Sequence, residues 1–466
     1  MSPDIIKALG ETVGVKRVST QKLDRMSYAR DIWPKCYFWL RRGESPYLPA
    51  CVVWPGSVEE VSRVMKLAIK HHLPLTPVGA GSGVCGGAIP VKGGIALDLK
   101  RMARLREVNA MNLTCEVESG MIGQPLEDAL NRRGLTLGHF PSSMYCSSVG
   151  GWIAARSAGQ LSSKYGKIEN IVMALEGVLP DGSIFRTRRT PRSAAGPDLD
   201  QVIIGSEGTL AIVTAATLSL HRLPELRILR GFLFPDVRPG VSAIRRVMQA
   251  GLAPSVVRLY DELDTKINAT KMGVTRDGCL LVVGFEGPDS MLTRKKAEKG
   301  LRICAECGGD DLGEGPGLAW HKHRYSISYK MSEVLSQEGA ILDTIEVAGI
   351  WSNVHELYRE IREAIIPHAL VMAHFSHAYP EGCSIYFTFA AQGRERSAED
   401  IYDTVWEEAM KACIKAGGTF SHHHGVGMHK AKWMPIEHGS WMEIYQGLKR
   451  YLDPENLLNP GKMGLE

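Results

Sequence analysis

The segment Ser421-His422-His423-His424-Gly425-Val426-Gly427 places three imidazoles side by side ahead of a Gly-x-Gly turn. Imidazole titrates near neutral pH, so it can take a proton from a substrate and give it back. In an extended chain successive side chains point to opposite faces. At least one of the three histidines is therefore expected to face away from the others. Adjacent residues chelate one ion poorly, so no metal is expected here. A structural cluster satisfied by its own hydrogen bonds is the plain alternative.

A second kind of chemistry is written in glycine. The run Pro77-Val78-Gly79-Ala80-Gly81-Ser82-Gly83-Val84-Cys85-Gly86-Gly87 lets the backbone approach a bulky anion and converge several N–H groups on it, as a pyrophosphate requires. It is not a dinucleotide fingerprint that opens a helix, because more glycine and then Pro90 follow. It also lacks the Gly-Lys-Ser/Thr ending of a P-loop. Small residues recur at Pro141-Ser142-Ser143, Ser148-Val149-Gly150-Gly151-Trp152 and Ser157-Ala158-Gly159, and again at Ile204-Gly205-Ser206-Glu207-Gly208-Thr209. Such density leaves room for a flat ring system and offers it backbone and hydroxyl hydrogen bonds.

These segments need a scaffold. Cys51–Pro55 reads as a strand stopped by proline, Ser57-x-x-Glu60 as a capping box, and Val61, Val64, Met65 and Ala68 as one face of a helix. Strands follow at 73–78 and 95–99, a helix at 125–133 stopped by Gly134, and strands near 202–204 and 210–220. Residues 1–48 form a helical lead-in. From about residue 226 the texture changes. Strands are expected at 228–234, 279–286, 340–348 and 383–390, and helices at 239–250, 289–307, 353–366, 398–416 and 439–451. That alternation reads as α+β, with helices on one face of an antiparallel sheet.

Composition sets the limits. The 466 residues carry 55 basic and 51 acidic side chains, a near balance that argues against nucleic acid as a partner. Of ten cysteines only Cys304 and Cys307 form a C-x-x-C pair, so neither a zinc nor an iron–sulfur site is expected and the thiols read as reduced. No apolar run reaches the roughly 20 residues of a membrane span. The start shows no signal pattern, and a cytoplasmic location is expected.

The three glycine-rich segments, in this order and spacing, resemble the FAD-binding region of the vanillyl-alcohol-oxidase/PCMH flavoprotein family. The ending Asn459-Pro460-Gly461-Lys462 after Asp453-Pro454 resembles that family's C-terminus. The resemblance implies a two-subdomain PCMH-type FAD-binding domain at 49–225, an α+β substrate domain at 226–420, and a segment at 421–466 returning to the flavin. By resemblance Pro77, Gly79, Ala80, Gly81, Ser82 and Gly83 would hold the pyrophosphate. Pro141, Ser142, Ser148, Val149, Gly151, Ser157, Gly159, Glu207, Gly208, Val213 and Asn459 would line nucleotide and flavin. Members that bind FAD covalently use a histidine in the first loop; Ser82 and Gly83 stand here, so noncovalent FAD is expected.

Within that family the histidine triplet is similar to that of the alkyl-dihydroxyacetonephosphate synthases, as are Gly138-His139, Trp152, Arg258 in Val-Val-Arg-Leu, and Tyr386 in Cys-Ser-Ile-Tyr-Phe. Members that oxidise D-2-hydroxy acids have glutamate where His423 stands. The resemblance implies exchange of an acyl for an alkoxy group on a ketone phosphate through a flavin adduct, without net redox change. His422, His423 or His424 would move the proton, Tyr386 would act as base or hold the departing carboxylate, and Arg258 would orient the phosphate. The alternative is an FAD dehydrogenase of a D-2-hydroxy acid or other small alcohol. It would pass electrons to an iron–sulfur or electron-transfer flavoprotein partner. For it, Arg324 in Trp320-His321-Lys322-His323-Arg324 would grip a carboxylate, and His374 and His377 would sit near the substrate, although the dehydrogenase histidine motif is absent. A small-molecule substrate and a homodimer are expected in either case.

Overall fold

The computed structural model describes residues 1–268, 272–326 and 331–465. The glycine-rich part is built on two sheets. In the first, β1 (Val18–Ser19), β2 (Cys51–Val53), β3 (Leu75–Val78) and β4 (Ile95–Asp98) run in the order β1-β2-β4-β3, with β4 parallel to both β2 and β3. The helix Val58–Lys70, capped by the Ser57 hydroxyl, is the crossover that makes β2 and β3 parallel neighbours of β4. Its face of Val61, Val64, Met65 and Ala68 closes a core with Leu75, Ile95 and Leu97. In the second sheet β5 (Leu105–Asn109), β6 (Thr114–Glu118), β8 (Val172–Val178), β9 (Ile184–Arg186) and β10 (Ile212–Ser219) lie in the order β5-β6-β10-β8-β9. A short ladder joins β7 (Leu135–Thr136) to β11 (His221–Arg222). The strand expected near residues 202–204 is instead the end of a helix, Leu199–Ile203. Asp198 caps it by accepting from the N–H groups of Asp200 and Gln201, which starts a helical turn before three β-branched residues can extend.

The second half is one antiparallel sheet of seven strands: β12 (Leu226–Phe234), β13 (Val256–Tyr260), β14 (Cys279–Gly287), β15 (Asp310–Asp311), β16 (Ala340–Ile350), β17 (Leu370–Ala378) and β18 (Gly382–Gln392), ordered β15-β12-β14-β13-β17-β18-β16. Alternation assigns its two faces. Phe375, Phe387, Phe389, Ile345, Val347 and Leu259 pack beneath the helices Val237–Gln249, Val354–Ile365 and Glu395–Lys415. The residues between them (Arg258, Glu346, His374 and Tyr386) stand on the opposite face. The strands β13 and β17 go beyond the sequence expectation. Arg258, His374, Ser376 and His377 interrupt their apolar runs because those positions serve the polar face.

Among the described residues, no helix is long and apolar enough to cross a membrane. The C-terminal segment returns to the first sheet: Leu75 N–H donates to Leu457 O and Asn459 N–H to Leu75 O.

Candidate active site

The loop after β3 is shaped for close approach by a ligand. Gly81 has φ +66° with open space where a Cβ would stand. A Cβ on Gly79 would lie 2.4 Å from the Ser148 hydroxyl, which caps the helix Val149–Ala155, so only glycine lets these two segments meet. Pro77 lies under Gly208 in the same way. A cleft of about 180 Å³ opens on Ala80 and Gly81, and Arg30 and Lys100 line it with positive charge. Behind the helix, His139 Nδ1 and Ser119 Oγ are buried without a hydrogen-bond partner among the described residues. A glycine-lined cradle with nearby cations and unspent polar atoms fits a dinucleotide with a polar ring system.

Not every residue expected at this cradle turns toward it. Glu207, at φ +51°, accepts from the N–H groups of Val426 (2.5 Å) and Gly427 (2.8 Å) and so clamps the loop after the histidines. Asn459 donates to the carbonyls of Gly87 and Glu207, and its own Oδ1 has no partner among the described residues. Ser157 bonds His139 Nε2 at 2.8 Å, and Ser142 accepts from Gln160. Gly159 is glycine because a Cβ would meet Phe140 N at 2.4 Å. Val149 and Val213 are buried among apolar side chains.

The histidine triplet lies in a loop and not in a strand. The expectation that one histidine faces away is therefore overturned: the rings of His422 and His423 are 5.1 Å apart, and those of His423 and His424 4.6 Å. One carboxylate winds the loop inward. Oε1 of Glu346 accepts from the N–H groups of His423 (3.2 Å) and His424 (2.8 Å) and from the Ser421 hydroxyl (3.1 Å). Its Oε2 pairs at 2.6 Å with Lys430, and both side chains are fully buried.

The sheet brings the remaining groups to this loop. Tyr386 sits opposite His374 on one side and Glu346 on the other. Its ring stacks on His374 at 4.8 Å and lies 6.0 Å from His423 and 5.5 Å from His424. Arg258 reaches His374 Nδ1 at 3.5 Å, and Asp264 reaches the same nitrogen at 3.2 Å. A β-bulge between Ser376 and Ala378 leaves His377 unpaired at φ +48° and swings it onto the polar face, 5.3 Å from His422 and 4.8 Å from His423.

Burial sets the charge state of this cluster. It holds His377 down to about 3, with Arg258 and Lys167 adding to the effect. It keeps His374, His422 and His423 well below the ordinary imidazole range, and lowers His424 against the pull of Glu346. Tyr386 is pushed up to about 12, chiefly by burial. Burial alone would raise Glu346, but the charge of Lys430 reverses this and holds it at about 2. The site therefore presents neutral imidazoles and a neutral phenol beside the guanidinium of Arg258, whose Nε has no partner among the described residues.

Arg324 stands apart from this group. Its guanidinium lies over the Tyr325 ring at 4.6 Å and donates to His321 O. Among the described residues, no group of three His, Cys, Asp or Glu side chains is placed to hold a metal ion. Sequence reasoning missed Glu346, Lys430 and Asp264. Lys430 carried one signal, a cation three residues beyond the Gly425-Val426-Gly427 turn; the others had none beyond their polarity in apolar runs.

Comparison with known proteins identifies the family. Residues 223–463, more than half of the chain, match the family described as FAD linked oxidases, C-terminal domain, and residues 49–188 match an FAD binding domain. The alkyldihydroxyacetonephosphate synthase of Dictyostelium discoideum is 29% identical, over 99% of this chain and 80% of its own. Glycolate oxidase subunit GlcD of Bacillus subtilis (strain 168) is 27% identical, over 99% of this chain and 97% of its own. A solved alkyldihydroxyacetonephosphate synthase structure superposes with a TM-score of 0.83 at 27% identity, covering 99% of this chain and 85% of that one. The glycine cradle, the seven-stranded sheet and these matches lead to one conclusion: the chain belongs to the FAD-linked oxidases and is an FAD-dependent enzyme.

Proposed function

We propose that this enzyme exchanges an acyl for an alkoxy group on a ketone phosphate, a reading supported by its likeness to proteins named alkyldihydroxyacetonephosphate synthase. The observation that carries the reading is the convergence of five histidines and Tyr386, all held neutral, beside the Arg258 guanidinium, whose Nε has no partner among the described residues. When bound, FAD supplies the reactive isoalloxazine ring. The amides of Gly79 to Gly83 hold its diphosphate, with Arg30 and Lys100 offsetting charge. Ser148 and the backbone at Gly151 and Gly208 would line the rest.

The chain's own residues then divide the work. Arg258 takes the phosphate, because a planar fork of N–H donors suits an anion and its Nε is uncommitted. A neutral imidazole, His423 or His424, removes the proton beside the ketone and later returns it. No net oxidation is needed for such a cycle. Tyr386 remains protonated at neutral pH and donates to the departing carboxylate. Placement of the loop by Glu346 keeps the imidazoles in register with the tyrosine.

A second reading is favoured by one feature. Asp264 orients His374 beside Arg258, an arrangement that could take a hydroxyl proton from a D-2-hydroxy acid whose carboxylate Arg258 holds. That enzyme would pass electrons to a separate carrier. Purified yellow protein decides between them. Acyl-for-alkoxy exchange without dye reduction is expected. Anaerobic bleaching of the flavin by D-lactate or D-glycerate, with electrons reaching a dye, would overturn the transferase reading. Tyr386→Phe should lower turnover about 100-fold with FAD still bound; unchanged turnover removes Tyr386 from the chemistry.

A further inference from the structure

We propose that the helical lead-in is part of the cofactor site, with Asp31 as its positioning residue. Asp31 fixes the second half of the glycine-rich loop, so that the amides of Gly79 to Gly83 converge on the FAD diphosphate. Two hydrogen bonds grip one turn from its two ends. Asp31 Oδ2 accepts the N–H of Gly86 at 2.9 Å, and Ile32 N–H donates to Gly83 O at 2.9 Å. The other carboxylate oxygen accepts from Trp33 N–H at 3.0 Å, which sets the direction of the group. Asp31 is buried, and the fit around it is close. A Cβ on Gly83 would lie 3.3 Å from Asp31 Oδ2, and one on Gly86, at φ +77°, 3.1 Å from the Trp33 ring. The two backbone donors come from separate segments and take one oxygen each, so a carboxylate suits the place.

The lead-in also holds the first half of the loop and supplies a wall of the cleft. Ser27, Tyr28 and Arg30 line that cleft together with Ala80 and Gly81. The Tyr28 hydroxyl donates to Asp98 at the end of β4, and Asp98 pairs with Lys100 at 2.7 Å. Lys100 Nζ in turn donates to Gly79 O at 3.1 Å. One short stretch of chain thus reaches the loop at Gly79 through Asp98 and Lys100, and at Gly83 and Gly86 directly. Beyond the turn, Cys85 O accepts the N–H groups of Met428 (2.9 Å) and His429 (3.1 Å), so the turn that Asp31 fixes is also the one on which the histidine loop docks. Without the carboxylate the buried N–H of Gly86 is left unpaired, which is costly enough to move the turn. The neighbouring amides then lose their common aim. The inference rests on the reading that the diphosphate lies at Gly79 to Gly83.

The test is titration of apoprotein with FAD, followed by flavin fluorescence, with ADP as a competing probe that carries the diphosphate without the flavin. Asp31→Asn keeps the shape but offers one acceptor oxygen and turns an NH2 group against the second N–H. The titrations are made at about pH 8, above the value of about 7 to which burial pushes the Asp31 carboxyl. Asp31→Asn should weaken FAD and ADP alike, by about tenfold. Because Asp31 acts through the same amides as Gly81, the double variant Asp31→Asn with Gly81→Ala should lose clearly less than the product of the two single losses. Full additivity means that Asp31 acts elsewhere and overturns the inference. If Gly81→Ala weakens FAD and Asp31→Asn does not, the diphosphate lies in the loop but Asp31 does not position it. If neither change matters, the loop is not the diphosphate site and the inference falls with that reading. Arg30→Gln, a change at an exposed residue, serves where Asp31→Asn does not fold. It should weaken FAD and ADP with the melting temperature of the apoprotein unchanged; unaltered affinity for both removes the lead-in from the cofactor site.

Discussion

Glu346 shows how much one side chain can decide. Its carboxylate accepts two backbone N–H groups and a hydroxyl while pairing with buried Lys430. Removing one partner of a buried pair costs on the order of 3–5 kcal/mol, because the other charge is left uncompensated. Glu346→Gln should therefore lower the melting temperature and abolish most turnover. The double change Glu346→Gln with Lys430→Met should recover stability without recovering turnover, since the histidine loop has lost its anchor. Recovery of both would mean that Glu346 serves folding alone. Acid should act on the same residue. The folded value of Glu346 lies below its unfolded one, so its stabilisation is complete above about 4.5 and is lost as pH falls toward about 2.

Elements place these residues by parity and by interruption. On β13, β16, β17 and β18 every second residue feeds the helical core, and the alternate ones build the site. The β17 bulge breaks that rule at one position and adds His377. On the other half of the molecule the loop after β3 works through backbone alone. Gly81→Ala meets no atom within 4 Å, so its folding cost is only the left-handed backbone, about 1–2 kcal/mol. The protein should fold, yet bind FAD about tenfold more weakly, because the altered backbone misdirects the amides. Unchanged affinity, read by flavin fluorescence on titration of apoprotein, would move the diphosphate away from this loop. Gly427→Ala should behave differently: at φ +55° its Cβ would lie 2.0 Å from Cys85 O, so the histidine loop cannot dock and the protein should lose thermal stability.

At the scale of the whole molecule, the site is a seam between the glycine-rich half and the seven-stranded sheet, and its charge state follows from closing that seam. His374, His377, His422, His423 and His424 all titrate below the unfolded value when buried. Between pH 6.5 and the folded values the unfolded chain binds more protons than the native one, so stability should fall as pH drops below about 6.5. Replacing His422 with Asn should flatten that slope in melting curves taken from pH 7.5 to 5; an unchanged slope would mean that these imidazoles protonate freely in the native state. The α+β class and the FAD-binding character were legible in the sequence, and the histidine triplet stood out as a candidate, because each signal is local: periodicity where a face is buried, glycine where backbone must approach a ligand, an uncommon residue repeated three times. The sequence could not show that the triplet is a loop, since only the long-range pull of Glu346, 75 residues earlier than Ser421, overrides strand alternation. Nor could it show the roles of Asp264 or Lys430, or the turning of Glu207 toward Val426. Those depend on which strands become neighbours, and hydrogen bonds between residues far apart in the chain leave no periodic trace in the sequence.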